Sequence, residues 1–262
     1  MIRAKKSLGQ NFLIDIDIIN QIVNSGLIKD QNVLEIGPGT GNLTRQILKK
    51  KPKQFFFIEK DSELITMLNN EFNGKINLVG NDVLKFNETK FLNDNLTVFG
   101  NLPFNISTEI LCKWIINLKS NDFWFNELVL MFQKEVADRI IAKYNTSNYG
   151  RLTILSNWKL DIKKICDISP KSFVPKPKVM STLLYFSPKK NFFKIKDPIN
   201  LEKISRVFFN HRRKMIKKPF NQIFHGNLEI INKLKLDLNL RPQNLDLKTY
   251  YNLTKEYEDL RC

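Results

Sequence analysis

Residues 33–42 read Val33-Leu34-Glu35-Ile36-Gly37-Pro38-Gly39-Thr40-Gly41-Asn42, in which an apolar run of β-type residues enters a glycine-rich turn. Glycine has no Cβ, so the backbone of such a turn can pass close to a ligand, and the N–H groups that open a following helix can bind polar ligand atoms. The spacing is Gly-x-Gly-x-Gly, whereas the dinucleotide fingerprint is Gly-x-Gly-x-x-Gly. The segment predicts a strand, a turn and a helix, and it leaves two interpretations open, a nucleotide-like ligand or a plain tight turn.

Short apolar runs alternate with helical periodicity from this segment to about Phe186. The runs predict strands at residues 32–36, 54–58, 76–79, 97–100 and 127–132. Apolar residues at three- and four-residue spacing predict helices around residues 43–48, 64–68 and 110–115. The alternation predicts an α/β, Rossmann-like fold with a mostly parallel sheet, whose ligand lies at the carboxyl ends of the strands.

Both flanks of this central part show helical patterns only. Upstream, isoleucines from Ile16 onward predict a short amphipathic helix that ends near Gly26, a residue suited to a left-handed cap. After residues 187–190 the strand signals cease, and helical stripes follow at residues 201–208 and 228–234. We expect two domains, an α/β catalytic domain at residues 1–189 and a small all-helical domain at residues 190–262.

The net charge favours a polyanionic partner. Lysine and arginine total 42 against 26 acidic residues, a formal charge of +16, which is typical of nucleic-acid binding and less often of binding to an anionic membrane surface. The alternative is lysine enrichment on solvated faces, since 33 of the basic residues are lysines and nine are arginines. Charge alone names no substrate.

Other features exclude several classes of protein. Cys112, Cys166 and Cys262 are too few and too scattered for a disulfide framework, and His211 and His225 have no second ligand in sequence, so we expect no metal site. The basic start lacks the apolar stretch of a signal peptide, and no apolar run approaches the roughly 18 residues of a membrane span. We expect a cytoplasmic protein, monomeric in solution, with no membrane partner.

Two acids follow predicted strands. Glu59 lies 22 positions after Gly37, a separation at which a carboxylate accepts hydrogen bonds from ribose hydroxyls. Asp82 follows the third strand, where it can accept a hydrogen bond from an adenine amino group. Either acid alone is equally well an exposed strand-end residue, but with the glycine turn they form a constellation at three successive strand ends, which favours an adenosyl ligand.

A fourth strand end carries Asn101-Leu102-Pro103-Phe104. Asn101 offers an amide oxygen, Pro103 orients the carbonyl of Leu102, and Phe104 presents a flat ring. Two acceptors and a stacking plane suit an exocyclic amine on an aromatic base. The alternative is a helix cap with the phenylalanine in the core.

With this segment after that glycine motif, the chain resembles the ribosomal RNA adenine dimethyltransferase family, and the resemblance also covers residues 6–13, 172–179 and 209–214. It implies S-adenosylmethionine as methyl donor and S-adenosylhomocysteine as product. The implied cofactor-binding residues are Asn11, Leu13, Gly37, Gly39, Gly41, Glu59, Asp82 and Asn101. The implied catalytic residues are Asn101, Leu102 and Phe104, and the implied RNA contacts are Phe104, Phe173 facing it across the target base, Arg212 and Arg213.

Within the family, Leu102 and Asn105 resemble the small-subunit enzymes, whereas the large-subunit enzymes tend toward Ile and His there. Phe104 stands where many members carry Tyr. The resemblance implies N6,N6-dimethylation of two adjacent adenosines near the 3′ end of 16S ribosomal RNA, within a small-subunit particle, during ribosome biogenesis. The alternatives are a 23S adenine N6-methyltransferase and a non-catalytic RNA-binding assembly factor; a nicotinamide oxidoreductase would need the other glycine spacing.

Overall fold

A computed structural model describes residues 4–91, 95–118 and 123–261. Its helices and strands are, in chain order, β1 (Phe12–Leu13), α1 (Ile16–Val23), β2 (Asn32–Ile36), α2 (Asn42–Lys49), β3 (Gln54–Ile58), α3 (Ser62–Phe72), β4 (Asn77–Gly80), β5 (Leu96–Asn101), α4 (Ser107–Asn117), β6 (Phe125–Gln133), α5 (Lys134–Ile140), α6 (Arg151–Lys159), β7 (Leu160–Ile168), β8 (Phe173–Val174), β9 (Ser181–Pro188), α7 (Pro198–Phe209), α8 (Lys217–Phe224), α9 (Leu228–Leu234) and α10 (Leu247–Asp259).

The main sheet has the strand order β4-β3-β2-β5-β6-β9-β7. Strands β4, β3, β2, β5 and β6 pair in parallel, and β9 runs antiparallel to β6. From β2 the chain builds outward through β3 to β4 and then returns to the other side of β2 as β5, so the strand order reverses between β2 and β5. A parallel sheet opens a ligand crevice at the carboxyl ends of the strands at such a point. The Rossmann-like α/β prediction is confirmed.

The five predicted strands are present with bounds shifted by one or two residues at most. Four further strands were missed, the short β1–β8 pair and the strands β7 and β9. The helix near the amino terminus is α1, whose isoleucines are buried as expected, but Gly26 is not its cap because Asn24 ends the helix in a right-handed conformation. Gly26 instead allows close packing, since a Cβ there would lie 2.9 Å from Cζ of Phe99.

Packing divides the chain into two compact units. The first consists of Met1–Leu111, Asp122–Ala137 and Asp161–Pro188, and the second of Cys112–Asn121, Asp138–Leu160 and Lys189–Cys262. The second unit therefore takes in two segments that precede the expected boundary at residue 190, and the division of the chain into domains at that residue stays a prediction. Inside the second unit, α7 packs on α6 and α10.

No helix in the described part of the chain is both long and apolar enough to cross a membrane. Across the same ranges, no three His, Cys, Asp or Glu residues are grouped so that they could hold a metal ion. Cys112 and Cys166 are free thiols, and Cys262 lies outside the described residues.

Candidate active site

A cavity opens in the first unit at the carboxyl ends of β2, β3, β4 and β5, and residues 7–13 form its wall on the side of the amino terminus. Nine of the residues singled out from the sequence line it, namely Asn11, Leu13, Gly37, Gly39, Glu59, Asp82, Asn101, Leu102 and Phe104. The switch in strand order thus brings together side chains that are up to 93 positions apart in the sequence.

The glycine turn has two functions. Gly37, Gly39 and Gly41 have φ values of 66°, 58° and 77°, in the left-handed region that favours glycine. Gly37 and Gly39 line the cavity, and a Cβ on Gly39 would lie 2.9 Å from Cδ1 of Phe12. Gly41 does not line it. It is the N-cap of α2, and a Cβ there would meet the side chains of Leu68 and Phe72 in α3. Its requirement for glycine is therefore one of helix packing.

Backbone amides hold the Glu59 carboxylate at the end of β3. Its Oε1 accepts hydrogen bonds from the amides of Lys60 at 2.8 Å and Asp61 at 3.0 Å, and its Oε2 accepts one from Gly39 at 3.3 Å. The side chain is nearly buried, and this burial raises the pKa of Glu59 although the amide bonds oppose the shift. The carboxylate is therefore fixed in orientation and tied directly to the glycine turn.

Glu35, the acid before the glycine motif, also reaches the cavity wall, which sequence reasoning did not assign. It is buried, and its Oε2 accepts a hydrogen bond from Oγ1 of Thr44 at 2.6 Å. Burial, against the hydrogen bond from Thr44, raises the pKa of Glu35 to about 8, and the neighbouring charge of Glu59 adds to the rise. Glu35 is therefore mostly protonated at neutral pH.

Asp82 supplies a carboxylate beyond β4. Its Oδ1 accepts a hydrogen bond from the amide of Leu84 at 3.0 Å, and its Oδ2 accepts one from Nζ of Lys60 at 3.3 Å. Partial burial opposes ionisation, but these two hydrogen bonds outweigh it and lower the pKa of Asp82 below its usual range. The acid therefore remains charged at neutral pH.

The segment after β5 presents an acceptor and a ring to the cavity. Nδ2 of Asn101 donates to the backbone carbonyl of Asn11 at 2.9 Å, which leaves Oδ1 as the end available to a ligand. The carbonyls of Pro103 and Phe104 accept from Ile106 and Ser107 in the turn that opens α4. Leu102 is buried, and the half-buried ring of Phe104 lines the cavity.

Three side chains tie the amino-terminal wall to the start of α3, and we name Lys5, Gln10 and Asp61 the N-terminal clasp. Oδ1 of Asp61 accepts from Nζ of Lys5 at 2.7 Å, and its Oδ2 accepts from Nε2 of Gln10 at 3.1 Å. The Lys5 amide also donates to Oε1 of Gln10 at 2.7 Å. The Asp61 side chain is fully buried. Burial by itself raises the pKa of Asp61, but the hydrogen bonds from Lys5 and Gln10 outweigh it and lower that pKa.

Sequence reasoning missed the clasp. The only signal was Asp61 before a helical run, which predicts the N-cap that Asp61 also provides by accepting from the amide of Glu63 at 3.1 Å. At the other end of the wall, Nδ2 of Asn42 donates to the carbonyl of Leu13 at 2.7 Å. The wall is therefore anchored on both sides of the cavity.

Phe173 does not lie where the sequence analysis placed it. It pairs with Leu13 between β8 and β1, and its ring is buried in the core with 2% of its surface exposed. Side chains alternate along a strand, so it is the neighbouring Val174 that is exposed. The structure therefore does not bring Phe173 opposite Phe104 at the cavity.

The two tail arginines differ in their surroundings, within the second unit. Nη2 of Arg212 donates to the backbone carbonyls of Thr146 and Ser147, and its guanidinium lies 5.9 Å from the ring centroid of Phe209. Arg213 is exposed and has no ion pair with any described residue. The first arginine fixes a loop, and the second is available to a partner.

The polar groups that line the cavity fit S-adenosylmethionine. A fixed carboxylate at the end of β3 suits two ribose hydroxyls, the charged acid after β4 suits an adenine amino group, and the turn at Gly37 and Gly39 has no side chain to obstruct a ligand. Asn11 and Leu13 enclose the cavity from the amino-terminal wall. The residues that line the cavity thus fit the cofactor.

The chain is similar to proteins of known family. The family model for ribosomal RNA adenine dimethylase matches residues 1–259. Ribosomal RNA small subunit methyltransferase A of Pelagibacter ubique is 60% identical over 260 residues, covering 99% of each chain, and the protein of that name from Wolbachia sp. subsp. Drosophila simulans is 40% identical, covering 100% of this chain and 96% of its own.

Solved structures show the same fold. A dimethyladenosine transferase from Plasmodium falciparum is 27% identical with a TM-score of 0.79, covering 95% of this chain and 98% of its own. The 23S rRNA methyltransferase ErmE, at 20% identity, has a TM-score of 0.68 and covers 95% of this chain and 100% of its own, which shows a shared fold alone.

Proposed function

The chain belongs to the ribosomal RNA adenine dimethylase family, and from this premise we propose that it dimethylates the N6 amines of two adjacent adenosines near the 3′ end of 16S ribosomal RNA, as a step of small-subunit biogenesis. As a member of that family it is an S-adenosylmethionine-dependent rRNA (adenine-N6,N6) dimethyltransferase, with S-adenosylhomocysteine as the second product. Membership favours this enzyme over the alternative of a non-catalytic assembly factor.

The relatives favour the small subunit as the source of the substrate. Those at 60% and 40% identity both carry the name of a small-subunit methyltransferase. Leu102 and Asn105 agree with that branch. The accepted substrate is then a small-subunit particle, met in the cytoplasm by a monomeric enzyme, and activity on 23S rRNA is the outcome that would overturn this choice.

The chemical task of the protein is to make a conjugated amine nucleophilic. The lone pair of adenine N6 is delocalised into the ring, and two acceptors that hold its hydrogens favour a more tetrahedral nitrogen. Oδ1 of Asn101 and the carbonyl of Leu102 are these acceptors, and the hydrogen bond from Asn101 to the carbonyl of Asn11 is the observation that carries the assignment, because it turns the amide oxygen toward the ligand.

When bound, S-adenosylmethionine supplies an electrophilic methyl group on a sulfonium sulfur. Glu59 and Asp82 hold its ribose and adenine, the turn at Gly37 and Gly39 admits it, and Asn11 and Leu13 close over it. Because the leaving group is a neutral thioether, the side chains contribute orientation and exclusion of water, and the proton of the amine can pass to water afterwards.

The ring of Phe104 holds the target base. An adenine must be unstacked from RNA before it enters the cavity, at a cost of a few kcal/mol, and stacking on an aromatic ring returns roughly 1–3 kcal/mol. With Phe173 in the core, Phe104 is the ring that carries this role. Arg213 contacts RNA phosphate from the second unit, and Arg212 positions the loop beside it.

Replacing Asn101 with alanine tests the mechanism. Single-turnover methylation of small-subunit particles at saturating cofactor should slow on the order of 10²-fold or more, the usual cost of losing one positioned polar group in an excluded site. Cofactor affinity is measured separately by calorimetry, because Asn101 also lines the cofactor cavity.

Asn126→Ala is the matched control, since Nδ2 of Asn126 also donates to a backbone carbonyl, that of Asn95 at 3.1 Å, but outside the cavity. A near-parental rate for Asn101→Ala would reduce Asn101 to a turn residue. Mapping the labelled methyl groups to 16S or 23S rRNA in the same reaction distinguishes the two subunits.

A further inference from the structure

A surface groove on the first unit is lined by Lys49, Lys51, Lys53 and Lys75, and we name it the lysine groove. All four side chains are exposed, and none makes an ion pair with another residue in the described ranges. Among the described residues that line the groove, none carries a carboxylate. The four lysine charges therefore face solvent together.

The other cation of the groove is already paired. Arg45 lines the groove, but its guanidinium binds Glu71 through Nε–Oε1 at 2.5 Å and Nη2–Oε2 at 2.7 Å. Asp30, whose amide donates to the carbonyl of Lys51 at 3.2 Å, is not among the residues that line the groove. The unpaired charge of the groove thus comes from lysines alone.

The backbone that carries these lysines is fixed. Lys51 has a φ of 56°, a left-handed conformation that glycine or asparagine adopts at lower cost than lysine. Its amide donates to the carbonyl of Leu48 at 3.1 Å, and the amide of Lys53 donates to the carbonyl of Gln31 at 2.8 Å. Lysine at Lys51 therefore has no local conformational advantage, which points to a use for its side chain.

The helix dipole accounts for only part of the cluster. Lys49 ends α2, where a cation complements the carbonyl end of the helix. Lys53 and Lys75 instead precede β3 and β4 and lie beyond the last turns of α2 and α3, where the effect of the helix dipole has fallen off. Their convergence with Lys49 and Lys51 is a property of the folded surface.

The lysine groove lies at the opposite edge of the sheet from the cofactor cavity. It adjoins the amino-terminal ends of β3 and β4, whereas the cavity adjoins their carboxyl ends. A strand of five residues spans about 16 Å at roughly 3.3 Å per residue. A nucleotide whose base enters the cavity cannot also place its own phosphate in the groove.

We propose that the lysine groove binds the phosphate backbone of a second, folded segment of the ribosomal RNA, separate from the segment that holds the target adenosine. The inference rests on the proposed function. Lysine is a point charge without the planar fork that reads base edges, so the contact is to phosphates and independent of base sequence.

The test removes the four charges of the groove together. The variant Lys49→Gln/Lys51→Gln/Lys53→Gln/Lys75→Gln is compared with the control variant Lys163→Gln/Lys194→Gln/Lys248→Gln/Lys255→Gln, which removes four exposed lysines outside the groove. Binding to small-subunit particles is measured at several salt concentrations. Each lost phosphate contact lowers the slope of log K against log salt by roughly 0.9, so the groove variant should lose about three to four from the slope and bind at least tenfold more weakly near 0.1 M salt.

Calorimetry with S-adenosylmethionine checks that both variants are folded. If the fourfold variant does not fold, Lys53→Gln/Lys75→Gln replaces it. This double variant should lose about half as much of the slope of log K against log salt. If the parent methylates the particle but the groove variant binds it with the same slope of log K against log salt as the control variant, the inference is overturned. A parent that neither binds nor methylates the particle overturns the proposed function, and the groove assignment with it.

Discussion

Asp61→Asn should loosen the N-terminal clasp and leave the chemistry unchanged. The substitution keeps the size of the side chain and the oxygen that caps α3, since Asn is as good an N-cap as Asp. It removes the negative charge that Lys5 and Gln10 share. One of the two former acceptor atoms becomes an NH2 group, which cannot accept from either partner.

The magnitude follows from the bond to Gln10. A hydrogen bond to a charged, buried carboxylate is worth about 1.5–3 kcal/mol, and about 1.4 kcal/mol is a factor of ten in an equilibrium. If a ligand leaves the cavity only when residues 5–13 detach, its dissociation rate is proportional to the open fraction. The dissociation rate of S-adenosylhomocysteine should therefore rise about tenfold or more, with little change in kcat at saturating cofactor.

Stopped-flow displacement by excess competitor measures this rate directly. Glu63→Gln is the matched control, because Glu63 also accepts from Lys5, at 3.1 Å, but its side chain is 66% exposed and its loss should change little. Gln10→Ala opens the clasp without touching α3. Parental dissociation rates in both Asp61→Asn and Gln10→Ala would show that the clasp does not retain the ligand.

Three further predictions follow from the sites described above. Glu59→Ala should weaken S-adenosylmethionine binding, measured by calorimetry, at least tenfold, since each charge-assisted hydrogen bond to a ribose hydroxyl is worth roughly 1.5–3 kcal/mol. Unchanged affinity would remove Glu59 from the site. Arg213→Gln should lower the slope of log K against log salt for particle binding by about one, without changing Tm. Arg212→Gln should instead lower Tm, because the backbone carbonyls of Thr146 and Ser147 lose their donor. The reverse pattern would contradict this assignment. Burial raises the folded-state pKa of Glu35 to about 8, so its contribution to stability is present below the unfolded pKa and is lost as pH rises through 8. In urea titrations, the unfolding free energy of the parent should therefore fall between pH 5 and 8, and Glu35→Gln should reduce that fall by on the order of 1–3 kcal/mol. An equal fall in both proteins would refute the assignment.

The features that the sequence predicted well are those encoded locally. The glycine turn, the acids Glu59 and Asp82 and the Asn101 segment each follow a strand whose apolar run is visible in the sequence. Because parallel strands end at the same edge of a sheet, recognising the strands was enough to bring these residues together. The cavity lining agrees with that inference.

Strand β7 was missed because its local signals conflict. It begins at Leu160, directly after α6 ends at Lys159, with no glycine or proline between them. Its lysines and aspartates interrupt the two-residue alternation that predicts a strand. The strand exists because it completes the edge of the main sheet beside β9, and pairing with a strand some twenty residues further along the chain is not visible in a local window.

The clasp shows the same limit for side chains. Lys5 and Asp61 are 56 positions apart, and nothing in either local sequence names the other as its partner. Phe173 fails for a different reason, because β8 contains two residues and a shift of one position exchanges the buried face for the exposed one. Sequence similarity can identify the segment as important without showing which of its two residues faces the core.

Arg212 and Arg213 combine both limits in adjacent residues. They follow the end of α7, and neither the periodicity of that helix nor the charge of the pair distinguishes them. What separates them is the loop at Thr146 and Ser147, whose carbonyls bind one guanidinium and leave the other exposed. A guanidinium that already satisfies two carbonyls must give up those bonds before it can bind phosphate, whereas an exposed one exchanges only water. The energetic argument therefore assigns the phosphate contact to Arg213, and it does so from a tertiary contact that spans 65 residues of sequence.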